Sequence, residues 1–190
     1  MAPTRSERHA VSRRDIVDAA WALSRERGLG GWSLRDLAAR VGMRAPSLYV
    51  YFDSKHAIFD TMFAEAYGQL LDAADAVATP PDAREALREI GRSFFAFAVA
   101  DIARIQLMFW RVVPGFEPSP ESYAVSQKVS EFLVRALQRV GIDDPDAPEV
   151  WMALAIGLVT QQVANDPTGT AWGRQVDVVV DMFADRYLGP

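Results

Sequence analysis

The chain has no cysteine. That excludes disulfide scaffolds, Cys-ligated zinc or iron–sulfur centres, and thiol nucleophiles. Histidine occurs twice, at His9 and His56, too few for a His-rich metal site or a His-based catalytic triad. There is no glycine-rich phosphate loop and no paired-carboxylate helix motif. The inventory therefore points away from an enzyme and away from any metal or cofactor. No apolar run approaches the ~20 residues that span a bilayer. The opening Met1-Ala-Pro-Thr-Arg-Ser-Glu-Arg lacks the apolar stretch of a signal peptide. A cytoplasmic protein with no membrane partner is expected. Sustained two-residue alternation is absent too, so a sheet is not expected.

What is present is an ordinary globular composition. The 190 residues are 50% hydrophobic and 24% charged, enough for one large domain or two small ones. The formal charge of −5 argues at first against nucleic acid as a partner, but it averages over a split. Residues 1–56 hold ten Lys/Arg against six Asp/Glu, a net +4; residues 57–190 hold ten against nineteen, a net −9. A basic head on an acidic body has the electrostatic footprint of a DNA-binding segment attached to a non-DNA body.

The periodicity is helical throughout. Phe59, Met62, Phe63, Ala66, Leu70, Ala73 and Val77 recur at steps of three and four, which predicts one long amphipathic helix over 55–78. Val178-Val179-Val180 has strand propensity, yet Trp172, Val176, Val179, Val180, Phe183 and Tyr187 share a helical face, and the longer pattern decides. Gly28-Leu29-Gly30-Gly31 ends a first helix that begins near Ser12. Proline and glycine clusters at 80–81, 114–120, 141–148 and 167–169 separate the later ones. The expectation is an all-α chain of about nine helices. Residues 1–11 read as a flexible basic arm, 12–56 as a helix-turn-helix domain and 57–190 as a separate body.

Residues 12–59 carry most of the information. Ser33 followed three residues later by Asp36 is a helix-start signal. Leu37, Ala38 and Val41 give the second helix an apolar face, and Gly42-Met43 makes a tight turn. A third helix is predicted over Ala45–Phe52, with Pro46 near its first turn. Two short helices around a glycine turn form helix-turn-helix anatomy, in which the second helix enters the major groove.

The run Ile16-x-x-Ala19-Ala20, Gly28, Ser33-Leu34-Arg35-Asp36-Leu37-Ala38, Gly42-Met43 and Leu48-Tyr49-x-Tyr51-Phe52-x-Ser54-Lys55 resembles the DNA-binding domain of the TetR (tetracycline-repressor-like) transcriptional regulators. It fits without a gap over about a quarter of the chain. Arg44, Pro46 and Val50 depart from residues frequent in the family, at positions that face DNA there, so no operator sequence carries over. Residue chemistry assigns roles within this pattern. Arg35 has two donors for guanine O6 and N7, and Ser47 and Ala45 suit a base edge and a thymine methyl. Arg44 and Val50 lie on the same surface. Tyr49, Tyr51 and Lys55 offer donors at phosphate height, and Ser33 offers one at a helix start. Arg5, Arg8, Arg13 and Arg14 suit phosphate or minor-groove contacts from the arm. His56 reads as an exposed residue, not a ligand.

The body is rich in aromatics, most of which read as core. The resemblance implies that this region also encloses a small-molecule pocket whose occupancy weakens DNA binding. Phe94, Phe97, Met108, Trp110, Phe132 and Trp151 are the residues expected to line it. Gln161, Gln162 and Asn165 suit an interface rim more than a pocket wall. Ala153 and Gly157 thin one face of the eighth helix, and Val176, Val180 and Phe183 form a stripe on the ninth. Two such helices from each of two chains would make a four-helix bundle, and the resemblance implies a homodimer of this kind. A two-fold dimer expects a palindromic operator. The leading expectation is a ligand-responsive DNA-binding regulator, most often a repressor in this family. A helical enzyme and a ligand-sequestering module without DNA binding are the competing classes.

Overall fold

The computed structural model describes the backbone of residues 5–189 and the side chains of 13–189. Residues 1–4 and the side chains of Arg5 and Arg8 lie outside the described residues, and with them most of the expected arm. Among the described residues there are nine α-helices, one short 3-10 turn and no strand. The helices are α1 (Arg5–Arg27), α2 (Leu34–Arg40), α3 (Ala45–Leu48), α4 (Lys55–Asp75), α5 (Ala83–Ala100), α6 (Ile102–Phe109), α7 (Pro120–Arg139), α8 (Ala147–Asn165) and α9 (Val176–Leu188). The valine run lies inside α9, as the longer pattern required. The first helix starts at Arg5, well before Ser12, because no proline or glycine interrupts 5–27.

The chain divides into two compact units, and neither is a contiguous stretch. The first takes in the chain up to Ala66 together with Ala103–Tyr123; the second takes in Tyr67–Ile102 and the chain from Ala124 onward. A cut at 56/57 does not coincide with this division. In the first unit Ile16, Ala20 and Leu23 of α1, Leu37 and Ala38 of α2, Leu48, Phe52, Ile58, Phe59 and Met62 are buried. These are the apolar positions that the 3.6-residue period had put on one side of each helix.

The second unit is built on α5, α8, α9 and the end of α7. Leu87, Leu133, Leu137, Ala147, Trp151, Val176, Val180 and Phe183 form its core. The Trp151 and Phe183 rings meet edge-on at 5.1 Å, a favourable aromatic arrangement. Along one side of α5 and α9 runs an ion-pair ladder. Arg84 pairs with Asp185 at 2.7 Å. Arg88 holds Asp181 with two bonds of 2.9 and 3.0 Å, and Arg92 holds Asp177 with two of 2.8 and 2.6 Å. Glu85 bridges Arg88 and Arg92. Hydrogen bonds from Arg92 hold the Asp177 carboxyl below its ordinary range, and bonds from Arg88 and Arg92 do the same for Glu85.

This packing corrects the expected dimer face on α9. Val176, Val180 and Phe183 are buried within the chain, and two of them close on Gly91 of α5. The helix carries two apolar stripes, and the outward one holds Val178, 52% exposed, and Met182, 66% exposed. On α8, Ala153 and Gly157 do face outward, beside Val150 and Leu154. Gln162 is also corrected: it is buried, not on a rim. Its amide nitrogen donates to the carbonyls of Asp166 and Gly169, and its oxygen accepts the Trp172 N–H, which folds the turn between α8 and α9 around one side chain. Gln161 and Asn165 are exposed and bonded to each other.

Candidate nucleic-acid interface

Helix α2 begins in a complete capping box. Ser33 Oγ accepts the Asp36 N–H at 3.3 Å, and the Asp36 carboxylate accepts the Ser33 N–H at 2.7 Å. Two of the helix's otherwise orphaned donors are thereby satisfied. The bond from the Ser33 hydroxyl, and then that from the Ser33 N–H, with Arg27 at 3.3 Å, hold the Asp36 carboxyl below its ordinary range. The Ser33 hydroxyl also donates to Asp36 at 2.6 Å. That corrects its expected role: the hydroxyl is occupied within the helix start and is not free for a phosphate.

The helix ends in a Schellman motif. The Met43 N–H reaches the Ala38 carbonyl at 2.8 Å and the Gly42 N–H reaches Ala39 at 3.2 Å. Gly42 sits at φ +69, where a Cβ would be penalised. The glycine sets the angle between α2 and α3. The helical part of α3 stops at Leu48, earlier than Phe52, and the chain tightens into three-residue turns: Tyr49 N–H to Pro46 O and Val50 N–H to Ser47 O, both 3.3 Å. Buried Leu48 and Phe52 anchor this turn from beneath. Above them Arg44, Ser47, Tyr49 (56% exposed) and Val50 (70% exposed) face outward, with Ala45 half-buried. Arg35 is exposed on α2. Neither Arg35 nor Arg44 makes an ion pair among the described residues.

Three expected contact residues lie differently. Lys55 points inward. Its ammonium donates to the carbonyls of Trp32 at 2.6 Å and Leu29 at 3.4 Å, and lies 4.1 Å from the centre of the Trp32 ring. Burial pushes its pKa down. It braces the turn before α2 and is not a free phosphate donor. Tyr51 is half-buried, and its carbonyl accepts from Arg13. Arg13 also stacks its guanidinium 4.2 Å over Phe52, so it ties α1 to the end of the recognition turn instead of serving a free arm. Arg14 stands beside Asp18 at 3.9 Å. The bracing tryptophan escaped sequence reasoning. Trp32 is buried and donates to Ser24 Oγ at 3.0 Å, which in turn donates to the Ala20 carbonyl. An aromatic directly after paired glycines was the available signal.

Phe94 and Trp151 line a groove of about 330 Å³ in the second unit, with Leu154, Leu158 and Val179. Val176, Val180 and Phe183 line the same groove. Phe132 lines a different one, of about 520 Å³, with Asp75, Ile90 and Arg139. Phe97, Met108 and Trp110 line neither, and the last two belong to the first unit. Aromatic content marked core and pocket wall alike. Among the described residues no helix is long and apolar enough to cross a membrane.

A capped helix pair around a glycine turn, with apolar anchors below and donors above, has helix-turn-helix geometry. Residues 16–62 match the family model of bacterial regulatory proteins, tetR family. It is 29% identical over 117 residues to the HTH-type transcriptional regulator Rv1816 of Mycobacterium tuberculosis, a match covering 60% of this chain and 47% of that protein. The chain thus spans about half the length of the mycobacterial regulators it matches. It is also 29% identical over 171 residues to the class A tetracycline repressor from transposon 1721 in Escherichia coli, covering 85% of this chain and 72% of that one. The fold matches Bacillus subtilis FadR, a transcriptional regulator solved with stearoyl-CoA. The TM-score is 0.66 at 18% identity, over 93% of this chain and 98% of that one.

Proposed function

We infer that the protein is a dimeric, ligand-responsive, sequence-specific DNA-binding regulator, a repressor released from a palindromic operator by a small lipophilic or aromatic effector. The observation that carries this is the outward set on one rigid turn. Arg44, Ser47, Tyr49 and Val50 stand over buried Leu48 and Phe52, with Arg35 on the preceding helix. In this reading Arg35 and Ser47 read base edges, and Ala45 and Val50 meet thymine methyl groups. Arg44 and Tyr49 fix the head on the phosphates. The net +4 of residues 1–56 steers that end toward DNA. Ser33, Lys55 and Tyr51 hold the shape of the head instead of touching DNA.

The dimer forms through the outward residues of α8 and α9: Val150, Ala153, Leu154 and Gly157 with Val178 and Met182. These apolar side chains are exposed in the single chain, and two copies of such a face bury them in a four-helix bundle. The effector is assigned to the second unit, where Phe94, Trp151 and Leu158 wall an apolar groove; the FadR protein of similar fold was solved with stearoyl-CoA. The effector binds better to a conformation with lower operator affinity, so occupancy shifts the population away from the DNA-bound state.

The test is titration of the purified protein onto DNA flanking its own gene at several salt concentrations. A footprint with inverted symmetry is expected, with affinity falling steeply as salt rises because phosphate contacts release counterions. Tyr49→Ala is expected to weaken binding to all sequences. Arg35→Ala and Ser47→Ala are expected to relax preference at one or two base positions. Absence of a footprint, or binding indifferent to salt, refutes the reading.

A further inference from the structure

The segment between α6 and α7 is remote in sequence from the head, yet it falls in the same compact unit. Two sets of contacts attach it to the first turns of α4. The first is polar. The Asp60 carboxylate accepts the Ser119 N–H at 2.7 Å, the Ser119 hydroxyl at 2.8 Å and the Ser122 hydroxyl at 2.9 Å. Ser119 in turn caps α7 by accepting the Ser122 N–H at 3.2 Å. Three donors on one carboxylate are charge-assisted bonds, about twice as strong as neutral ones. The second set is aromatic. Phe116 lies edge-on to His56, Phe59 and Phe63, with ring centres 6.1, 6.0 and 6.2 Å away. Pro118 and Pro120 flank Ser119 and restrict the backbone around it.

Those contacts lead to the DNA-facing surface by a short physical route. Phe59 packs on Trp32 at 5.4 Å. Lys55, one turn before Phe59, holds the Trp32 and Leu29 carbonyls. Ser33, next to Trp32, caps α2, and Arg35 stands on that helix's first turn. The placement of Phe59 therefore constrains the turn from which α2 starts.

Taking the protein as a sequence-specific DNA binder, as argued above, we propose that residues 116–122 are a latch for the reading head. Asp60, Phe116, Ser119 and Ser122 are positioning residues for operator recognition although none of them faces DNA. The latch fixes Phe59 and Lys55, these fix Trp32, and α2 then presents Arg35 in a defined place. Loosening the latch leaves the charges of the head unchanged and blurs its base readout. Discrimination falls, while charge-driven attachment to any duplex persists.

The experiment uses the full chain and two duplexes of equal length, the footprinted operator and a scrambled sequence. Phe116→Ala, Asp60→Ala and Ser119→Ala are each expected to weaken operator binding roughly tenfold. Binding to the scrambled duplex should change less than twofold, with the salt slope kept. Hydrogen exchange should quicken at the amides of residues 28–33. Ser119→Thr keeps both donors and is expected to restore operator binding. Operator affinity unchanged in all three variants overturns the proposal, with the regulator reading intact. Equal losses on both duplexes, with exchange rising throughout the chain and no rescue by Ser119→Thr, also overturn it, because that marks a stability role alone. A wild-type protein that does not distinguish the duplexes overturns the regulator reading itself, and the latch with it.

Discussion

Gly91 is a sensitive probe of the second unit because its Cα faces α9 with no room to spare. A Cβ built there lies 2.8 Å from Val180 Cγ2, 3.3 Å from Val176 Cγ1 and 3.8 Å from the Trp151 ring. Carbon atoms in ordinary contact sit about 3.5–4.0 Å apart, so Gly91→Ala forces Val180 back by most of an ångström. Val180 cannot swing aside: it is buried, and β-branched side chains are stiff at χ1. Overpacking of this kind costs about 1–3 kcal/mol. Against it stands the helix-propensity gain of glycine to alanine in mid-helix, about 1 kcal/mol. The expected net loss is about 1 kcal/mol, which lowers Tm by roughly 2–4 °C in a chain of this size. Gly68→Ala in α4 is the internal control. It sits in mid-helix with no atom within 4 Å of the added carbon, so the propensity gain stands alone and stability rises by about 0.5–1 kcal/mol. Both are read by calorimetry at one fixed protein concentration, because a dimer's Tm depends on concentration. Adding Val180→Ala to Gly91→Ala should relieve the clash term. If Gly91→Ala raises Tm as much as Gly68→Ala does, the close approach of α5 and α9 is wrong.

Met182→Glu places a charge on the outward face of α9. It should shift the protein to monomer in analytical ultracentrifugation without changing its circular dichroism, whereas Val180→Glu should unfold it; a dimeric Met182→Glu protein contradicts the assigned face. Ser33→Ala removes the α2 cap and should cost about 1 kcal/mol in chemical denaturation, so an unchanged midpoint would count against the capping box. Glu85 and Asp177 have carboxyls depressed in the folded state. The stability they contribute is complete above the ordinary carboxylate range and lost as pH falls through their depressed values. The Tm gap between wild type and Arg92→Gln should therefore narrow from pH 5 downward, and a gap that stays constant to pH 2 refutes the ladder's role.

The helix-turn-helix was readable because its determinants are local. Gly42 alone supplies the turn, Ser33 and Asp36 supply the cap, and Leu48 and Phe52 repeat at the helical step. Helix order was readable for the same reason, from prolines and glycines between periodic runs. Orientation was less accessible. Lys55 looked like an exposed ammonium at the start of α4, but the Leu29 and Trp32 carbonyls, more than twenty residues away, draw it inward. Helix α9 offered two apolar stripes, and only packing on Gly91 selects which one is buried. Gln162 stood among polar neighbours, and its burial depends on a turn that follows it. The contacts of Phe116 with Phe59 and of Ser119 with Asp60 join segments about sixty residues apart, for which no periodic signal exists.

The ladder between α5 and α9 has a mechanical consequence. Its three arginines and three aspartates each repeat every four residues, on antiparallel helices. Sliding one helix past the other by one rung, about 6 Å, still matches two of the three pairs. Sliding by half a rung matches none. Relative motion along these helices is thus divided into detents, so small axial shifts are resisted more strongly than a full step. A device of this kind tolerates thermal jitter without drifting, and any change it does permit along that axis is discrete.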